Sequence, residues 1–284
     1  MTRHSRQAVR ALAILAGALA SAIALGHNAF QRRISREVTH LLGQSAPADL
    51  PVISAADLTP LPEPVQRWLR WAGVVGTRPP TIIHLRQHGR FRLDPDKPWL
   101  SFTAEEHYTT HPPAFIWPAA FSIAPFIEIT GRDAYVDGHG SIDMRLFGLI
   151  PLARQHGPKL DQGALLRYLN EIVWFPAAAL SRPITWNAID QTSAQATIHH
   201  AGVSASAVFF FDELGRPFDM RAERYRTVGQ GYQLSTWSTP FRDYGEFAGI
   251  RVPIAGEGIW KLDSGDFSYV DLRVDSVAYD PPPR

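Results

Sequence analysis

The 284-residue chain carries 28 Lys plus Arg against 27 Asp plus Glu, is 45% hydrophobic and 19% charged, and has no cysteine. That composition belongs to an ordered globular chain, and its interspersed, nearly balanced charge supplies no basic face for DNA or RNA. The missing cysteine excludes disulfides, thiol nucleophiles, iron–sulfur ligation and a cysteine-linked lipid anchor.

At the start, Arg3, Arg6 and Arg10 precede Ala11 to Leu25, a run without charge and rich in Ala and Leu. A basic flank followed by an apolar run is an export signal. Extended from Val9 to Phe30 it reaches the roughly 20 residues a membrane span needs. Residues 1–30 are therefore expected to form an uncleaved anchor in the cytoplasmic membrane, with the domain on the extracytoplasmic side. Cleavage at the small residues Ala24 to Gly26 would instead give a periplasmic or secreted protein. Next, Phe30, Ile34, Val38 and Leu41 recur at helical spacing, which predicts an amphipathic stem to Gly43 with its arginines in solvent or at lipid headgroups. Pro47, Pro51, Pro60, Pro62 and Pro64 make the stretch from Gln44 to Pro64 an extended surface linker. Residues 31–63 thus form stem and linker, and 64–280 a single antiparallel β-sheet domain.

That domain opens with a short helix from Pro64, striped by Val65, Trp68, Leu69 and Ala72 and capped by Gly73. From Thr81 the period changes to two: Ile83, Leu85, Phe91 and Leu93 alternate with His84, Arg86, His88, Arg90 and Arg92. Similar runs at 99–109, 126–136, 141–150, 184–190, 194–200, 203–211, 217–225, 250–262 and 267–279 predict strands. Asp137-Gly138, Ala201-Gly202, Leu214-Gly215 and Ser264-Gly265 suit hairpin turns. One helix interrupts them, from Asp161 as N-cap through Leu165, Leu166, Leu169, Ile172 and Val173 to the break at Pro176. About ten long twisted strands cannot stay flat. The expected fold class is mainly β (α+β): a curved antiparallel sheet or partly open barrel with covering helices, plus the N-terminal transmembrane or signal helix.

The search for chemistry excludes more than it finds. His84 and His88, like His107 and His111, have helical metal-site spacing, but on a strand four residues span about 13 Å, so neither a metal nor a cofactor is expected. Adjacent His199 and His200 point to opposite faces, as do Glu105 and Glu106. Gly202-Val203-Ser204 begins like a nucleophile elbow, but Ser206 replaces the closing glycine. Glu171 lies at the edge of its helix's apolar face, with Arg167 placed to pair with it at the surface. An acid-assisted hydrolase would use Glu171 or Glu223. The aromatic residues Trp174, Phe175, Tyr225, Trp237 and Trp260, with Glu171, Glu223 and Arg224 as polar fixtures, could line a cleft for a lipid or other apolar ligand. The plainer reading gives those aromatics to the core. A third reading is a scaffold that binds another envelope protein through the face from His84 to Arg92.

Several elements carry a resemblance: Leu61-Pro62 with Val65, Arg67 and Leu69; Arg167-Tyr168-Leu169 with Glu171; Trp174-Phe175-Pro176; Trp186; Arg224-Tyr225; Trp237; and Gly249 to Pro253 with Trp260. In these the chain resembles a family of uncharacterised, often membrane-anchored bacterial proteins known only as a domain of unknown function, with Trp68 where the family has tyrosine. The resemblance implies no reaction. The helix-in-curved-sheet layout is similar to the half-barrels of periplasmic lipoprotein carriers, which implies an apolar ligand.

Overall fold

The computed structural model describes residues 3–45, 50–125, 127–229 and 231–281. Period-two alternation governs the chain from Ile82 to Tyr279, and strands form where it holds. They are β1 (Ile82–Phe91), β2 (Leu100–Thr110), β3 (Pro113–Ala124), β4 (Ile127–Val136), β5 (His139–Leu146), β6 (Ile150–His156), β7 (Ile184–Ala188), β8 (Ser193–His200), β9 (Val203–Phe211), β10 (Pro217–Val228), β11 (Gly231–Ser238), β12 (Phe241–Phe247), β13 (Ile250–Leu262) and β14 (Gly265–Tyr279). The sheet runs β6-β5-β4-β3-β2-β1-β14-β13-β11-β10-β9-β8-β7, with β12 paired to β13. Each neighbouring pair is antiparallel.

A sheet this wide must curl. It curls far enough for distant strands to touch: the Tyr135 hydroxyl on β4 lies 2.9 Å from His200 Nδ1 on β8. The concave side is filled by α3 (Pro158–Glu171) and the 3-10 turns Ile172–Trp174 and Pro176–Leu180. Leu165, Leu166, Leu169, Ile172 and Val173 are fully buried there. The architecture is the expected one, a curved half-barrel with covering helices. Because Leu169 already sits in filled space, Leu169→Trp should destabilise the fold by about 1–3 kcal/mol, read as a lower urea midpoint.

Four strands escape the periodicity reading. In β3, Pro113 and Pro118 break the strand signature, although Phe115, Trp117, Ala119 and Phe121 still alternate into the core. The short edge strand β6, and β11 and β12, complete the set. The helix α3 starts at Pro158 behind Gly157, not at Asp161; the Asp161 carboxylate instead accepts a hydrogen bond from the Gly140 N–H at 2.7 Å. Proline fits the first helical turn, where its missing N–H costs nothing.

The stem is helical as expected, and it packs on the domain. A single helix α1 (Arg3–Gln44) runs through it, and its second half lies on the convex face of the sheet. Leu41 packs on Ala114, Ile116 and Ala134, Arg33 pairs with Asp143 at 3.1 Å, and Glu37 pairs with Arg132 at 2.7 Å. The apolar stripe is buried by the domain's own outer surface, so those residues belong to the fold. The linker docks as well, through buried Ile53 and Leu58; Pro47 lies outside the described residues. Helix α2 (Glu63–Ala72) takes Pro64 in its first turn and ends at Gly73, whose φ of 83° is the left-handed cap expected there.

Candidate functional site

Burying an arginine is tolerable only with partners, and Arg167 on α3 has three. Its guanidinium meets Glu106 at 2.7 Å, Glu171 at 2.7 Å and Asp133 at 3.2 Å. Strand parity delivers these groups: Glu106 faces inward with Ala104 and Tyr108 on β2, Asp133 with Tyr135 on β4, and Glu171 follows Arg167 by one helical turn. The rings of Phe115 and Trp117 flank the guanidinium, each 4.8 Å away. Tyr108 donates to Glu171 at 3.2 Å and Gln87 donates to Glu106 at 3.1 Å.

Two carboxylates on one guanidinium in a dry site cannot both stay ionised. Burial pushes the Glu106 carboxyl well above its ordinary range, and the attraction of Arg167 only partly offsets it. Burial also raises Glu171, against the pull of Arg167. Burial thus raises both carboxyls, Glu106 the more strongly, with the Arg167 guanidinium 2.7 Å from each. Arg167 pays for its own burial with these carboxylates and stays charged.

Beside this cluster the concave wall turns aromatic. Arg224 on β10 stacks 4.4 Å above Trp237 and donates to the Tyr269 hydroxyl at 3.4 Å, while Trp237 Nε1 donates to the same hydroxyl at 3.1 Å. Trp237 faces Trp260 across the β11–β13 pairing, and Trp260 stacks on Tyr269 at 5.9 Å. The wall continues through Phe91, Phe121 and Trp117, with centroids 5.6–6.0 Å apart. Trp117 sits opposite Asp133 in register, and Asp133 feels the charge of Arg224. Trp117, Phe121, Trp237 and Trp260 are buried in this wall, while Phe91, Arg224 and Tyr269 stay partly exposed. Arg167 and Asp133 keep 15% and 26% of their side chains exposed, so the cluster borders solvent at that edge while Glu106 and Glu171 stay buried.

Two donors in this wall lack a full set of acceptors. The Trp117 indole N–H is buried with no hydrogen-bond partner among the described residues. Arg224 forms no ion pair within 4.0 Å among them, although each of the acids around Arg167 is engaged.

Of the residues singled out from sequence, Arg224, Trp237 and Trp260 come together. Trp174 and Phe175 lie deeper: Trp174 Nε1 donates to the Pro253 carbonyl at 3.1 Å, and Phe175 packs on Tyr108 at 4.8 Å. Tyr225 is half-buried beneath the Lys159 ammonium, 5.0 Å from its ring. Glu171 joins the charge cluster in the interior, which corrects its expected surface pairing with Arg167. Glu223 is exposed on β10 and accepts from Thr236 at 2.6 Å; it is not brought together with Glu171. Gln87, Glu106, Tyr108, Trp117, Asp133 and Tyr269 escape sequence reasoning. The available signal was Glu106 and Asp133 at inward parity in apolar strands.

One group of three potential metal ligands assembles among the described residues: His84, Glu105 and His107, with ligand atoms within 4.8 Å of one another. Same-strand spacing cannot reveal it, because His84 and His107 are cross-strand partners of β1 and β2. Their rings stack at 4.6 Å and 15°, so their nitrogen lone pairs lie in near-parallel planes. Farther along this convex face the charges pair within the sheet, His88 with Asp275 at 2.8 Å and Arg90 with Asp271 at 3.0 Å.

A family model described as "Family of unknown function (DUF6544)" matches residues 51–272. No curated protein matches the chain. Among solved structures, the crystal structure of a LolA superfamily protein from Nitrosomonas europaea aligns with 11% identity and a TM-score of 0.37, covering 77% of this chain and 94% of that one.

Proposed function

The chain belongs to this family of unknown function, and from its site we propose that the domain binds an amphipathic molecule with an anionic or carbonyl-bearing head. The observation that carries this reading is the pair of incompletely matched donors, Arg224 and the Trp117 indole, at the junction of a charge cluster and an aromatic wall. A donor buried without an acceptor costs about 1–3 kcal/mol, so a site that keeps such donors suits a ligand that brings acceptors. Guanidinium geometry suits a carboxylate or phosphate. The apolar part of such a molecule would lie along Phe91, Phe121, Trp260 and Tyr269. In the same proposal α1 holds the domain at the outer face of the cytoplasmic membrane, with Arg3, Arg6 and Arg10 on the inner side.

The acid-hydrolase reading draws less support. Glu171 is 5% exposed, with one oxygen taken by Arg167 and the other by Tyr108, which suits a counter-ion better than a proton donor to substrate.

The test uses residues 27–284, which keep Phe30, Ile34 and Leu41, the α1 residues buried on the domain. Fatty acids or lysophospholipids should change tryptophan emission saturably, since the proposed site lies against Trp117, Trp237 and Trp260. Arg224→Gln should weaken that binding about tenfold or more, the loss of one charge-assisted hydrogen bond, with an unchanged melting temperature. A silent wild type, or equal affinity in the variant, would refute the proposal.

A further inference from the structure

The hairpins at one end of the half-barrel carry apolar residues that the fold leaves uncovered. Ile123 and Ile127 flank the β3–β4 turn, Leu149 lies in the β5–β6 turn and Ile150 and Leu152 begin β6 beside it; all are between 39% and 52% exposed. Turn positions of a soluble surface favour polar residues, and a contiguous apolar cluster there marks a contact surface.

These two tips meet α1 where its apolar half leaves the domain. A Cβ on Gly26 would lie 2.8 Å from Leu149 Cδ1, and one on Gly148 would lie 2.7 Å from His27 Cα. Gly148 also has a φ of 66°, so glycine satisfies both the turn and the approach. Ala20, Ile23, Ala24 and His27 line a groove of about 610 Å³ with Ile127 and Phe147. Beyond it, toward the N-terminus, Leu12, Ile14, Leu15 and Leu19 are more than 60% exposed, as is Leu25 alongside it. The helix Leu12–Gln44 is, among the described residues, the one stretch long and apolar enough to cross a membrane.

Length then decides how close the domain must stand. The uncharged run Ala11 to Leu25 covers only about 22 Å as a helix, against a hydrocarbon core of about 30 Å. The shortfall draws the next turn of α1, and whatever packs beside it, toward the lipid. The groups beside it are Leu149 and the β3–β4 turn. Just above, Arg32, Arg36 and Arg154 are exposed, at a height suited to headgroup phosphates.

We propose that the β3–β4 and β5–β6 tips rest in the outer leaflet of the bilayer that receives α1, so that the half-barrel stands on the membrane instead of swinging from a tether. The proposal rests on α1 being embedded, and does not depend on the identity of any ligand at the aromatic wall.

The chain's lack of cysteine permits clean single-site labelling. The full chain would be reconstituted in vesicles of phosphatidylethanolamine and phosphatidylglycerol. An environment-sensitive fluorophore would be placed in turn on Leu19→Cys, Ile127→Cys, Ile150→Cys and Leu214→Cys, the last in the β9–β10 turn beside α2. All four positions are exposed, so the substitutions spare the core. Labels at Ile127 and Ile150 should emit to the blue, be quenched by spin-labelled lipid, and be several-fold less sensitive to aqueous iodide than the label at Leu214. If Leu19 reports lipid while Ile127 and Ile150 behave like Leu214, α1 is an anchor but the tips are not docked, and the proposal fails. If Leu19 itself reports water, the embedded helix and the proposal fail together.

Discussion

Arg167→Met should destabilise the domain by about 3–5 kcal/mol at neutral pH, the loss expected when one partner of a buried ionic cluster is removed. Methionine keeps much of the packing volume between Phe115 and Trp117, so the loss should come mainly from charge. Glu171 and Asp133 would be left without the guanidinium that neutralises them at 2.7 and 3.2 Å. Adding Glu106→Gln and Glu171→Gln to the same chain should restore a large part of the stability, because the two most buried acids then need no cation and only Asp133, whose side chain is 26% exposed, is left without one. Urea unfolding of the single and triple variants reads both effects. A loss under about 1 kcal/mol in the single variant would place the cluster in the surface regime, and with it the accessible Glu171 that the hydrolase reading needs.

The second large effect concerns pH. The Glu106 carboxyl is raised in the folded state by burial, so folding takes up a proton wherever the unfolded chain has released its own. A raised group contributes stability that is fully present below the unfolded value near 4.5 and is lost as pH climbs toward the folded value. Within that window the wild type should lose up to about 1.4 kcal/mol per pH unit from this proton. Glu106→Gln keeps the donor geometry of the protonated acid and has nothing to titrate. Its stability should therefore exceed that of the wild type by a margin that grows from pH 5 upward. The difference between the two curves isolates this group from other titrations, including His111 and His200, whose protonation burial disfavours. A difference that is flat with pH, or that narrows as pH rises, would mean that Glu106 is already ionised in the folded protein.

Local pattern carries much of this fold and less of its site. Alternation alone places Ile83, Leu85 and Phe91 against the outward His84, Arg86 and Arg90, and the hairpin glycines mark where the sheet turns back. Pro118 hides β3 because a missing N–H argues against a strand, whereas tertiary pairing with Arg132 of β4 holds it there regardless. The stripe Phe30, Ile34, Leu41 was visible as an amphipathic helix, but which surface would cover it depends on Ala114, Ile116 and Ala134, residues far along the chain. The site follows the same logic. Parity tells that Glu106 and Asp133 face inward, yet only the strand order β4-β3-β2-β1 with α3 above it brings both to Arg167. Trp237 and Trp260 were legible as aromatic payload, while the unmatched Trp117 indole and the cross-strand histidines depend on pairing that one strand's spacing does not encode. Glu223 illustrates the converse: adjacent in sequence to Arg224, it falls on the other face.

The most direct test of the binding reading is native mass spectrometry of residues 27–284, purified without detergent, beside the Arg224→Gln variant. The expected result is a small amphipathic molecule carrying a carboxylate, phosphate or carbonyl head, bound in stoichiometric amount to the wild type and depleted in the variant. A wild-type spectrum of bare protein that stays bare after incubation with membrane lipid extract would contradict the proposal, and would leave the aromatic residues as a packed wall of the core.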